Sequence, residues 1–398
     1  MKVSFFVHNL SENPIVRAYP IAKTFEAMGW ETEVLGFLFD ERGVYQPYKN
    51  SFTYKTLTIK PTVASCLKHM AELSRRADGD LIYACKPLIT SFLPALKASH
   101  KDNRKPLLLD VEDNDVESFK PRAFFSYIKA IKNIKSPGGY YVNHWLLKYV
   151  EACCGVTVSS SHLQSIYGGE ILLHGPPFSD APVSIGSDEQ FSMRKNLSLP
   201  LEKILLLFAG KSRSHKGIRK AVDALSHLEV SNIHLVLVGD PRQPDFRYAK
   251  EKMGDEVTLL GEFNQDQMRY VNQACDIGLI LQDENKYTKS QIPAKLLECF
   301  AYGRPVVATS VGDLPNLLGS NGKNQASRGW LVRGSFDTEF RLALSAIEDD
   351  YLSGCNDLKE KGLRARRFHL DYASIAANRK ILSSFPGVYK LQSFVGDE

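Results

Sequence analysis

Short apolar runs alternate with amphipathic stretches along the whole chain, a pattern that predicts strands separated by helices. In the first half, residues 3–7, 33–38, 81–84, 107–111 and 155–158 read as strands, with helices between them such as 15–28 and 87–99. A stretch rich in Pro, Ser and Gly at 176–187 (PPFSDAPVSIGS) reads as a linker. The pattern then restarts, with strands expected at 204–208, 233–238, 257–260, 277–281 and 305–308. Helices are expected between them at about 215–228, 266–274 and 293–302. Strand–helix alternation of this kind specifies parallel α/β sheets, here two doubly wound domains of similar size. Ligands in such sheets bind beyond the C-terminal ends of the strands. From 363 the chain turns basic and helical (LRARRFHLDYASIAANRKILSSF).

Composition narrows the class. With 398 residues, 43% hydrophobic and 24% charged, the chain has the make-up of an ordinary globular protein with room for two domains. No apolar run approaches the ~18 residues of a membrane span. The opening MKVSFFVHNLSENP turns polar too soon for a signal peptide and reads as a first buried strand. Seven cysteines show no metal-ligand spacing, so reduced core thiols and a cytoplasmic setting are expected. A net charge of +5 gives a general nucleic-acid role little support. No GxGxxG follows the first strand, which argues against a dinucleotide-binding enzyme.

Candidate chemistry concentrates in 287–317 (YTKSQIPAKLLECFAYGRPVVATSVGDLPNL). Pro293 suits the first turn of a helix, where its missing N–H is one the helix could not use. The open N–H groups there, with the positive end of the helix dipole, favour an anion. Lys295 and Glu298 stand three apart, so both face one ligand. A cation near phosphate and a carboxylate near ribose hydroxyls suit a nucleotide diphosphate sugar. Gly303-Arg304-Pro305 closes the helix, with Arg304 structural or solvated. Upstream, AGKSRSHKG (209–217) follows the strand LLLF. Gly210 permits an unusual turn, after which Lys211, Arg213 and Lys216 project beyond the strand end. Cations placed there stabilise a departing diphosphate more than the bound substrate, the alternative being a solvated basic loop.

These two motifs resemble the nucleotide-sugar site of the family 4 retaining glycosyltransferases. The resemblance implies the GT-B fold: two Rossmann-like doubly wound domains with an interdomain cleft. It implies an acceptor-binding domain at 1–180, a donor-binding domain at 188–365, and a C-terminal helix at 366–398 crossing back to the first. Lys211, Lys216 and Glu298 would act in catalysis, Glu298 by holding the ribose and the lysines by holding the diphosphate. The backbone of Ser290, Gln291 and Ile292 would meet the donor sugar. Gly239, Gly261 and Phe263 would receive the nucleobase. Two positions depart from the family: Ser290 stands where its E-x7-E pattern has the first glutamate, and Lys211 where arginine is usual. Pro293, Lys295 and Glu298 match a Pro-x-Lys-x-x-Glu form found in some branches, and Arg213 could supply the missing guanidinium fork.

The acceptor half is read less sharply. Asp110-Val-Glu-Asp-Asn-Asp115 resembles an Asp-rich motif of one bacterial branch, with Asp113 the candidate to orient or deprotonate the acceptor hydroxyl. A helix N-terminus decorated with acids is the other explanation. Asn9, Asn13 and Arg17 on the first strand–helix turn, with Lys86 and His174 after later strands, complete the cleft candidates. Between 120 and 135 (KPRAFFSYIKAIKNIK) lysines interleave with apolar residues, as in a helix on an anionic membrane or an ordinary helix on the sheet. No motif argues for a metal or a cofactor. The resemblance thus points to transfer from a UDP- or GDP-sugar to a carbohydrate or lipid-linked hydroxyl in cell-surface polysaccharide or glycolipid synthesis. A non-catalytic GT-B partner subunit and a nucleotide-sugar epimerase are the rival readings.

Overall fold

The computed structural model describes residues 1–100, 104–118, 120, 135–176, 187–227, 232–320 and 325–395. The 120–135 segment and the 176–187 linker therefore lie almost wholly outside the described residues. The chain divides into two compact units, the first comprising Met1–Pro177 with Ile375–Glu398 and the second Phe178–Ser374.

Unit 1 is built on strands β1 (Lys2–Val7), β2 (Glu31–Leu38), β3 (Thr53–Thr58), β4 (Leu81–Cys85), β5 (Leu107–Val111), β6 (Gly155–Val158) and β7 (Glu170–Ile171). Their spatial order is β3-β2-β1-β4-β5-β6-β7, and every neighbouring pair is parallel. A parallel sheet needs cover on both faces, so its central strands are continuous apolar runs. One face packs Phe5, Tyr83 and Leu108 under the helix Ile15–Ala27; the other packs Phe6, Ile82 and Leu109 under Phe92–Ser99. The strand β3 is absent from the sequence reading. It is an edge strand of half-buried polar residues (TYKTLT), and it lacks the apolar run that marks its neighbours.

The last two helices, Ile375–Ser384 and Pro386–Val395, belong to unit 1. Leu382, Phe385 and Val388 join its core. An ideal Cβ on Gly155 would lie 2.2 Å from the Phe385 ring, so the glycine that opens β6 is what admits this helix pair. The helix Asn356–Tyr372 stays with unit 2, and the chain joins unit 1 at Ile375.

Unit 2 repeats the plan with β8 (Ile204–Ala209), β9 (Ile233–Val238), β10 (Val257–Leu260), β11 (Ile277–Ile280), β12 (Val306–Thr309), β13 (Gln325–Ala326) and β14 (Gly329–Val332). The order is β10-β9-β8-β11-β12-β14-β13, parallel except for the β13–β14 pair. Strand order reverses between β1 and β4 in unit 1 and between β8 and β11 in unit 2. At such a switch point the connections leave to opposite faces and open a crevice beyond the strand ends.

Candidate functional site

In unit 2 the crevice is made by the loop after β8, the loop after β11 and the helix Ala294–Ala301. The fully buried β8 ends at Gly210, whose N–H donates to the Val238 carbonyl at 2.7 Å. Gly210 has φ of 110°, and a Cβ there would lie 2.5 Å from Lys295 Nζ. The missing side chain is therefore the space in which the lysine ends. Lys295 comes from the first turn of the helix, and its Nζ stands 4.8 Å from the Phe208 ring centroid. The short 3-10 turn Ser214–Lys216 brings Lys216 within hydrogen-bonding reach of Lys295. Gly217 ends that turn in the left-handed conformation. A Cβ there would meet the Leu281 carbonyl at 2.8 Å, so this glycine seats the basic loop against the end of β11.

Two ammonium groups thus adjoin beside one carboxylate, Glu298. Burial, followed by the charge of Lys216, pulls the Lys295 ammonium down to about 7. Lys216 is lowered by burial and by Arg213, while burial raises Glu298 against the pull of Lys295. Like charges held together in a partly dry site are a standing demand for an anion. Glu298 and Lys295 also line a small cavity with Ala209, Asn272 and Cys299.

The helix start differs from expectation. Pro293 is the N-cap, with φ −63° and ψ 123°, and lies outside the first turn. No side chain caps this end, and Leu296 N–H turns back to the Pro293 carbonyl at 2.9 Å. Ser290 is buried, and its hydroxyl donates to the Tyr287 carbonyl at 2.9 Å. Gln291 and Ile292 are half-buried beside it. At the other end Gly303 and Arg304 donate to Phe300 and Cys299 carbonyls, a Schellman closure. Arg304 is structural: it is buried, bonding the carbonyls of Asn272 and Gln273 at 3.0 and 2.6 Å.

The remaining donor candidates separate. Lys211 and Arg213 are exposed, Arg213 acting on Lys216 through its charge. Gly239, with φ of 148°, packs against the Gly210 carbonyl, 3.0 Å from where its Cβ would be. Gly261 is exposed, and Phe263 packs against the cluster of Leu199, Val271 and their neighbours. Sequence reasoning missed the tethers of these loops. Gln243 accepts the Ser212 N–H, and Asp245 holds both the Ser212 hydroxyl and Arg219. The loop after β11 is held by Asn285, which accepts from Tyr287 and Thr288 N–H groups, and by Thr309, bonded twice to the Gln282 backbone. Asn-x-x-Thr at 285–288 is an Asx-turn signal that could have been read.

In unit 1 the strand ends gather a different set. Lys86, at the end of β4 with φ of 77°, reaches Asp113 and Asp115 at 2.9 Å each and Glu112 at 3.8 Å. His8, after β1, bonds Thr90; burial and the charge of Lys86 hold its imidazole down at about 3. Glu112 is pushed up to about 7, by burial first and with Lys86 opposing. It was not singled out from the sequence, although its value suits general-base work better than that of an ordinary carboxylate. Arg17 is no cleft cation. It is buried, 2.9 and 2.7 Å from the two oxygens of Asp110, and also bonds the Leu172 carbonyl. The Thr157 hydroxyl completes the pair at 2.7 Å from Asp110. His174 is buried near Arg17, and both effects keep it neutral. Asn9 takes φ of 33° and its side chain accepts the Ser11 N–H, whereas Asn13 is exposed.

Residues 203–350 match the family of glycosyl transferases group 1. An uncharacterised glycosyltransferase of Methanocaldococcus jannaschii is 26% identical over 43% of this chain and 46% of its own length. A D-inositol 3-phosphate glycosyltransferase of Stackebrandtia nassauensis is 28% identical over 44% and 40%. The match thus spans less than half the length of either curated relative. Among solved structures, Anabaena Alr3699/HepE in complex with UDP superposes with a TM-score of 0.68 at 18% identity, covering 99% of this chain and all of the other. A glycosyltransferase from Rickettsia africae gives 0.69 at 17% identity, covering 98% of each. The fold is GT-B.

Proposed function

We propose that the chain is a retaining glycosyltransferase that moves a sugar from a nucleotide diphosphate sugar to a hydroxyl acceptor. The observation that carries this reading is the pairing of Lys216 with Lys295, whose ammonium ends against Gly210, with Glu298 one helical turn away. In it the diphosphate lies against Lys216, Lys295 and the uncapped N–H groups of Ala294 and Lys295, while Glu298 binds ribose hydroxyls. The bond from the anomeric carbon to the phosphate oxygen breaks, its electron pair leaving with the diphosphate. The acceptor oxygen bonds that carbon from the same face, and its proton passes to the departing phosphate oxygen. Protein cations do the work a metal would otherwise do, so the reaction runs in EDTA. That similar proteins include one crystallised with UDP-glucose favours UDP as carrier. A bacterial cell-surface polysaccharide or glycolipid is the product class we propose.

Calorimetry with UDP and GDP, then turnover with the matching sugar nucleotide, tests the reading. Binding of one nucleotide, lost in Glu298→Ala, is the expected result. No heat with either nucleotide would leave only a non-catalytic scaffold, and donor turnover without acceptor would mean an epimerase.

Lys295 gives the site a pH signature. Its folded value, about 7, lies below the ordinary 10.5, so between these values the unfolded chain binds the extra proton. Its contribution therefore lowers stability as pH falls from about 10.5 to about 7, and the penalty is complete below that. A bound diphosphate restores the charge, so binding takes up a proton above neutrality. UDP affinity should fall between pH 7 and 9, with heats at pH 8 that depend on the ionisation enthalpy of the buffer. An affinity flat across that range would remove Lys295 from the phosphate site.

A further inference from the structure

At the N-terminal ends of β8 and β11, unit 2 holds a cavity of about 250 Å³. Its walls come from the helix Asp188–Asn196, the start of β8, and the junction between the helices Phe336–Leu352 and Asn356–Tyr372. The candidate donor site lies past the C-terminal ends of the same two strands, a strand length of roughly 20 Å away. Phe191, Leu201, Ile204, Tyr351, Cys355 and Leu358 make the lining largely apolar. Phe191 and Met193 are the two apolar residues of the helix DEQFSMRKN. Met193 packs against the core cluster of Leu199 and Val271, whereas Phe191, 38% exposed, lines the cavity.

The charges around the cavity are already matched. Arg194 donates to the carbonyls of Ala274, Leu201 and Lys203 at 2.9–3.0 Å and to Asp276 at 2.6 Å. Asp276 also accepts from Gln190 at 2.9 Å and from the Leu205 N–H at 2.7 Å. Lys203 pairs with Glu256. The two exposed charges in the wall, Glu202 and Lys359, are of opposite sign. An ion entering here would lose its water with no unmatched charge to receive it. Water in such a volume, about eight molecules at ~30 Å³ each, meets a mainly apolar wall, so a ring that displaces it gains affinity. We propose that this cavity binds an uncharged aromatic molecule of about the size of indole. The volume sets that size, lying just under the ~300–1,000 Å³ of pockets for drug-sized ligands. Phe191 and Tyr351 offer ring contacts, and the Cys355 sulfur a further one. The inference stands apart from the donor reading, because the two sites share no residue.

Indole and benzoate, which each carry an aromatic ring and differ in charge, are the probes, each added to the full chain. Saturation-transfer NMR reads binding. Peptide mass spectrometry reads iodoacetamide alkylation of Cys355, with Cys153 and Cys154 as half-buried references outside the cavity. Indole should bind saturably and benzoate should not. With indole at about four times its Kd, alkylation of Cys355 should slow about fivefold, and that of Cys153 and Cys154 should not change. Phe191→Ala should weaken indole binding about fivefold or more, with circular dichroism unchanged. Leu201→Trp, which fills the cavity from a half-buried position, should abolish it. The proposal is overturned if indole gives no saturable signal or leaves the alkylation of Cys355 unchanged. It is equally overturned if benzoate protects Cys355 as well as indole does, or if both variants bind indole as wild type does.

Discussion

Lys216→Ala should lower sugar transfer by about 10²–10³-fold, the range found when one preorganised donor to a developing negative charge is removed, while leaving the protein no less stable. The two halves of that result have one cause. In the empty site the charge of Lys216 works against that of Lys295, adding to burial in lowering the Lys295 ammonium. Removing one relieves the repulsion, so the thermal midpoint should hold or rise and Lys295 should titrate higher. In the reacting site the same charge faces the diphosphate as its bond to the sugar breaks, and nothing replaces it. Lys216→Arg, which keeps the charge, should recover part of the rate. Initial-rate kinetics and differential scanning fluorimetry on the three proteins check this. Full activity in the alanine variant, or a fall in midpoint that accounts for the loss, would remove Lys216 from the chemistry.

Arg17→Ala should cost about 3–5 kcal/mol of unit 1 stability, since it leaves a buried carboxylate without its partner. Asp110 is fully buried, and the Arg17 fork makes two of its hydrogen bonds while also tying down the Leu172 carbonyl. The Thr157 hydroxyl, itself bonded to Tyr83, cannot neutralise the charge that remains. Arg17→Met with Asp110→Leu removes both charges and should recover most of the loss. Urea unfolding, with hydrogen exchange of the β1 and β5 amides to isolate unit 1, separates the two variants. Equal stability of Arg17→Ala and wild type would mean that the guanidinium faces a ligand, as its place on the first strand–helix turn suggested.

The central strands were legible because burial on both faces leaves an unbroken apolar run. The edge strand β3 and the two-residue β7 and β13 were not, because a half-covered or very short strand leaves no such run, and the buried β14 was missed as well, a four-residue run opened by a glycine. In the site, Gly210, Lys216, Lys295 and Glu298 stand in two short motifs with glycine and helix signals around them. Gln243 and Asp245, which tether the basic loop, are the N-cap and a first-turn residue of the helix Pro244–Met253 and carry no local sign of that task. Arg17 was misread for a related reason. Its partner is 93 residues away, and an arginine beside a strand end looks the same in sequence whether it awaits a ligand or holds a buried aspartate.

By itself the sequence determined the class of sheet, the division into two repeats and the residue types gathered at the end of β8 and the start of the helix at 294. Those follow from periodicity and from local backbone rules, which act over a few residues. Only the tertiary structure decided which cations meet. Lys295 ends against Gly210 and beside Lys216, whereas Lys211, one residue after that glycine, is left in solvent. It also decided which carboxylates pair with arginine and which crowd around Lys86. Distance, burial and charge among residues far apart in the chain set those outcomes, and none of them is a property of a short stretch of sequence.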